Sequence, residues 1–383
     1  MRPHSEPTAQ PRQWNIALLL ALLAGSIIVC GLLWTLRPSP ESLYQQALQS
    51  KELYDQKRLL EQSIRLANDD YPAAELELCL VSARLKDWSA VESGTAKLSQ
   101  KKLAPSDLMK VARVCLEAQQ WASAKPILEA LQETQGQNED YLRLRCAYFQ
   151  GTGDHRGLID ATLLLTKAAP HQTNYWLLLA QIHELLEQNA AAIAVYQEAL
   201  DHELSRLDEI KIRSRLLEQL IHVGDAPGAR DQLNSLIAAG EAGPRIEIAT
   251  ARLYHLEGQC ELALASLEPA LDRIGEIPEA IRLRGVLQLE LGKFDEAVQD
   301  LKRVIELTPH DEIALFKLAE AYRRWGKQDP TRDDGVLADK YHQRYLQVHQ
   351  RQLRIKAIQR ELAQTPDHPQ LRKELEQLKA ETR

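Results

Sequence analysis

The side chains best suited to covalent or metal chemistry are five cysteines, Cys30, Cys79, Cys115, Cys146 and Cys260, and eleven histidines. No two cysteines form a CxxC pair, so zinc ribbons, thiol–disulfide motifs and a disulfide framework are disfavoured. Cys79, Cys115 and Cys146 fall on apolar helix faces, where a thiol packs as a small hydrophobe. His342 and His349 are spaced to share a helix face, but no HExxH occurs and no carboxylate stands at ligand spacing. Asp329, Asp333 and Asp334 beside Gly335 invite a calcium ion, yet an EF-hand loop alternates its acids more closely and ends on a glutamate. Nucleophile-elbow, P-loop and dinucleotide-binding glycine motifs are missing too. The chain is expected to bind no metal and no cofactor, and to catalyse nothing.

Composition narrows the elements that carry these residues. The 383 residues are 44% hydrophobic with a net charge of −7, and Leu, Ala, Glu, Gln and Arg dominate. Val, Ile and Thr never alternate as a half-buried strand requires, so the chain reads as all-α. The mild acidity argues against nucleic acid as a partner, since phosphate neutralisation needs clustered Lys and Arg.

Residues 278–311, PEAIRLRGVLQLELGKFDEAVQDLKRVIELTPHD, give the organising unit. Pro278 suits a first helical turn, Gly292 suits a left-handed C-terminal cap, and a second helix from Asp295 to Leu307 stops at Pro309. Ala297, Leu301 and Val304 make one apolar stripe on it, which two helices alone cannot bury. The period of 34 recurs in frames 105–138, 139–172, 173–206, 210–243 and 244–277, broken only by Leu207 to Glu209. The turn position holds Gly153, Gly224, Gly258 and Gly292; the first position holds Pro105, Pro244 and Pro278. The second helix carries a small residue at Ala124, Ala192, Ala229, Ala263 and Ala297, with Leu158 the exception. Weaker copies occupy 72–104 and 40–71, and another starts at 312 before the insertion GKQDPTRDDGV delays its second helix to about Leu337.

The unit resembles a tetratricopeptide repeat, with Gly285, Ala297 and Pro309 where that family places its small residues and final proline. The resemblance implies a right-handed α-solenoid over residues 43–346, closed by capping helices at 347–383. It also implies a concave groove, lined by the first helix of each repeat, that holds a segment of another protein. Carried onto this chain, the inward positions are Arg113, Arg143, Gln181, Glu218, Arg252, Arg282 and Glu320. Arginines there would fork onto carboxylates or carbonyls of a bound segment. The plainer reading is a solvated face with internal ion pairs. The lysine and asparagine clamp with which some members hold acidic chaperone tails is absent, its positions holding Met109, Arg113 and Leu144.

Upstream, residues 1–15 form a polar tail, and Ile16 to Leu36 run twenty-one residues without a charge between Trp14 and Trp34. That length spans a bilayer core of roughly 30 Å, with tryptophans at its interfaces. A cleaved signal peptide would have a shorter apolar core and a small-residue cleavage site, which this stretch lacks. The expectation is a single-pass transmembrane helix followed by a linker at 37–42. Arg2 and Arg12 before it place the N-terminus inside and the repeats outside the cytoplasm. The chain looks like the anchored repeat proteins of bacterial inner membranes that serve envelope and cytochrome assembly. Its expected function is a membrane-anchored interaction scaffold; the alternative is a structural protein that self-associates without a groove ligand.

Overall fold

The computed structural model describes residues 38–329, 331, 334–364 and 368–381. These form nineteen α-helices and, among the described residues, no strand. The expected tail and transmembrane helix, residues 1–15 and 16–36, lie outside the described residues; no described helix is long and apolar enough to cross a membrane.

The chain divides into two compact units, Met1–Thr134 and Gln135–Arg383. The first contains α1 (Pro40–Gln49), α2 (Leu53–Leu66), α3 (Pro72–Arg84), α4 (Trp88–Leu98), α5 (Pro105–Glu117) and α6 (Trp121–Gln135), which ends at the boundary. Ala47, Leu60, Ile64, Ala74 and Val81 form a core cluster within it. Helix begins at Pro40, inside the expected linker, because Ser39 accepts the Ser42 N–H at 3.1 Å and Pro40 is pre-set for a first turn.

The second unit holds α7 (Glu139–Thr152), α8 (His155–Ala168), α9 (Thr173–Leu185), α10 (Asn189–Leu200), α11 (Arg206–Val223) and α12 (Ala226–Ala238). It continues with α13 (Pro244–Leu256), α14 (Cys260–Ile274), α15 (Pro278–Glu290), α16 (Phe294–Leu307), α17 (Glu312–Gln328), α18 (Gly335–Gln364) and α19 (Pro369–Ala380). The three residues that break the period, Leu207 to Glu209, are absorbed into the first turn of α11, which Ser205 caps. The expected boundary at 346/347 falls inside α18. With no Gly or Pro from Val336 to Gln364, nothing stops the last repeat's second helix from running on as the first capping helix.

The seven intra-repeat turns from α3–α4 to α15–α16 use one device. A left-handed residue stands at Lys86, Gln119, Gly153, Glu187, Gly224, Gly258 and Gly292, with φ between 58° and 83°. The next N–H then reaches the carbonyl five residues back, as in Gln188 to His183 and Lys293 to Gln288, both 2.8 Å. This satisfies carbonyls the helix end would otherwise orphan. Side-chain caps on Asp154, Asp225 and Asp311 help start the following helix. Between paired helices the small position is sealed: Ala124, Ala192, Ala229, Ala263 and Ala297 are 0% exposed.

Candidate protein-binding face

The seven candidate residues all lie on first helices of repeats: Arg113 on α5, Arg143 on α7, Gln181 on α9, Glu218 on α11, Arg252 on α13, Arg282 on α15 and Glu320 on α17. Arg113 belongs to the first unit and the other six to the second. No hydrogen bond or ion pair joins any two of them. They divide by what surrounds them.

Arg282, Glu218 and Glu320 are already engaged. The Arg282 guanidinium pairs with Asp311, the carboxylate that also caps α17 through the Ala314 N–H, so it ties one repeat to the next. Asp311 is 9% exposed in its side chain, which makes this tie part of the packing. Glu218 sits 3.4 Å from Arg215 one turn earlier, and Glu320 lies between Lys317 at 2.9 Å and Arg324 at 3.6 Å. These are ion pairs along single helices, worth a few tenths of a kcal/mol at exposed positions.

Arg113, Arg143 and Gln181 are exposed and Arg252 is half-buried, and the three arginines have no ion-pair partner among the described residues. Repeat-to-repeat pairs form elsewhere in the molecule: Lys57 with Asp87, Arg230 with Glu257 and Arg303 with Glu276. Near Arg143, Tyr175 donates to Glu139 at 2.5 Å. Burial and that carboxylate push the Tyr175 phenol up to about 12, so it remains a donor.

One polar cluster escaped the sequence reading. Glu290 accepts from Cys260 Sγ at 3.1 Å and faces His255 Nε2 at 3.1 Å. The spacings of 35 and 30 residues follow from stacking neighbouring repeats, and only the repeat period hints at them. Burial, then Glu290, push the Cys260 thiol up to about 11, which keeps it protonated and a poor nucleophile at neutral pH. Burial also pushes Cys79 up to about 12 and Cys115 up to about 11 inside the core. His342 and His349 do share a face: both stack on Tyr345, and His349 Nδ1 lies 2.6 Å from Glu312. Among the described residues no group of His, Cys, Asp and Glu is arranged to hold a metal ion.

Two stretches match known family models, residues 173–201 a tetratricopeptide repeat and residues 287–326 a TPR repeat. The chain is a tetratricopeptide-repeat protein. The tetratricopeptide matches cover α9 and α10, and the span from the last turn of α15 through α16 and most of α17. No curated protein sequence matches this repeat protein. Among solved structures it is similar to the APC/C hetero-tetramer Cut9–Hcn1, with 14% identity over 89% of this chain and 67% of that one and a TM-score of 0.45. It is also similar to PilF of Pseudomonas aeruginosa, at 13% identity over 56% of this chain and 97% of that one, TM-score 0.42. A third likeness is to YrrB, a TPR protein with an unusual peptide-binding site, at 17% identity over 50% of this chain and 99% of that one, TM-score 0.36. At these scores no partner or pathway transfers.

Proposed function

We propose that this tetratricopeptide-repeat protein is a non-enzymatic scaffold that holds segments of partner proteins on the first helices of its repeats. The observation that supports this most is the set Arg113, Arg143 and Arg252. These three guanidinium forks stand on first helices with no carboxylate paired to them among the described residues. A planar guanidinium is suited to carboxylates or backbone carbonyls presented by an extended or helical segment. Gln181 adds a neutral donor and acceptor between Arg143 and Arg252 in the order of repeats. Arg282, Glu218 and Glu320 play a supporting part in this reading, since their charges are spent inside the stack.

We infer further that residues 16–36 anchor the scaffold in a bilayer, with the repeats on the far side of a bacterial inner membrane. The uncharged run between Trp14 and Trp34 supports this. The test is affinity capture of the full-length protein from detergent-solubilised native membranes, beside a variant with Arg113, Arg143 and Arg252 changed to Ser. A partner recovered with wild type and lost with the variant is the expected result. Identical partners from both would overturn the arginine face. Extraction at alkaline pH should leave wild type in the membrane pellet, and release a Leu19→Arg/Ile27→Arg variant.

A further inference from the structure

A second surface stands apart from the first-helix face. In the second unit the C-terminal helix pair lies against two successive intra-repeat turns, and between them is a cleft of about 540 Å³. One wall is the α7–α8 turn, Thr152, Gly153 and His155, with the end of α9, Leu185 to Glu187. The other is formed by Lys356, Arg360 and Leu362 of α18 and by Arg372 and Leu375 of α19. The volume lies within the range of ordinary ligand sites, roughly 300–1,000 Å³.

The lining has two characters. Leu185, Leu186, Leu362 and Leu375 supply apolar surface, and Leu185 is 68% exposed, an unusual exposure for a leucine at the end of a packed helix. Two permanent cations, Lys356 and Arg360, face one carboxylate, Glu187. Glu187 lies 2.7 Å from Lys356 and 3.4 Å from Arg360, and all three side chains are more than half exposed. Pairs this exposed add little to stability and exchange partners readily. The carboxylate also stands on a strained residue, φ 58°, where three neighbouring repeats carry glycine. Hydrogen bonding to Lys356 holds the Glu187 carboxyl below its usual range, so these cations do favour a carboxylate placed beside them.

We propose that this cleft docks an acidic, leucine-bearing segment of a partner protein, whose carboxylates take Lys356 and Arg360 from Glu187 while its apolar side chain covers Leu185. The excess of positive charge selects an acidic occupant, and the exposed leucine selects one with an apolar residue beside the acids. Glu187 then acts as an internal competitor that keeps the two cations paired until the segment arrives. The site is independent of the arginine face: it lies on turns and C-terminal helices, and no first-helix candidate residue lines it.

The test is fluorescence anisotropy of a fluorescein-labelled peptide of alternating Glu and Leu, titrated with full-length protein in nanodiscs. Two control peptides replace every Glu by Lys or every Leu by Ser. The Glu/Leu peptide should bind about tenfold tighter than either control, the weight of one or two desolvated contacts. Leu185→Ser and the double change Lys356→Ser/Arg360→Ser should each weaken it about fivefold, whereas Glu187→Gln should tighten it about threefold by removing the competitor. The Arg113, Arg143 and Arg252 to Ser variant should bind it as wild type does, which separates failure here from failure of the arginine face. The proposal is overturned if the Glu/Leu peptide does not bind, if it binds no tighter than the controls, or if the cleft variants leave its affinity unchanged. Displacement by dodecanoate together with equal affinity for all three peptides would assign the cleft to small anionic amphiphiles and also overturn it.

Discussion

Repeats 139–172 and 278–311 perform the same packing task with different side chains. In the later repeat, Gly285 of α15 lets Leu301 of α16 come so close that an added Cβ would lie 3.0 Å from Leu301 Cγ. At the matching positions of the earlier repeat, Cys146 meets Thr162, sulfur to hydroxyl at 3.5 Å. Arg284 forks onto Asp300 with two 2.7 Å hydrogen bonds. Its counterpart Arg145 finds Ala161 where Asp300 would be, and lies over the rings of Tyr141 at 5.9 Å and Phe149 at 5.2 Å. At the small position, Ala297 corresponds to Leu158. The solenoid thus requires a filled, satisfied seam between paired helices, and it tolerates several combinations of side chains that fill it.

The sharpest break should come at the sealed position. Ala297→Glu places an unpaired charge where exposure is 0% and should destabilise by about 3–5 kcal/mol, read as a lowered Tm and denaturant midpoint. An unchanged melt would refute the register of the repeats. Next is Gly285→Val, expected to cost about 1–3 kcal/mol by overpacking against Leu301. Pairing it with Leu301→Thr, the filling used by the earlier repeat, should recover part of the loss, and strict additivity in that double-mutant cycle would deny the contact. Asp300→Ala should cost about 2 kcal/mol by leaving Arg284 half-buried and unpaired, whereas Phe149→Leu should cost the earlier repeat about 1 kcal/mol. At the turns the two repeats agree, with φ 76° at both Gly153 and Gly292. Either glycine changed to Ala should lose about 1 kcal/mol, and Glu187→Gly should gain a similar amount by relieving the left-handed strain.

The glycine turns, first-position prolines and recurrent alanines made the stack legible in the sequence, because each marks a local backbone or packing demand. Turns at Gln119 and Glu187 were hidden, since those side chains give no sign of a left-handed backbone imposed by the repeat. The continuity of α18 across the expected 346/347 boundary was not visible, although no helix breaker stands there. Which helices carry the candidate residues was legible, but what each side chain meets was not. That Arg282 is taken depends on Asp311, twenty-nine residues on, which serves as the cap of the next repeat. The C-terminal cleft could not be read at all, because Lys356 lies 169 residues from Glu187 and only the folded stack brings them together.

The mildest difference between the two repeats is acid sensitivity. Glu290, at the end of α15, has Gly151 as its counterpart in the earlier repeat. Burial alone would raise the Glu290 pKa, but hydrogen bonds from His255 and Cys260, with the charges of His255 and Lys317, outweigh it and hold the carboxyl below its usual 4.5. A carboxyl lowered in the folded state binds its proton more readily when unfolded, so its contribution is present above that usual value. It is lost as pH falls through the lowered one. Because Glu290 is 37% exposed, solvent screening limits the effect to a few tenths of a kcal/mol. Denaturation of wild type and Glu290→Gln should therefore show a small gap near neutral pH that closes below about pH 4. A gap that widened on acidification would mean that burial, and not the His255 and Cys260 contacts, governs this carboxylate.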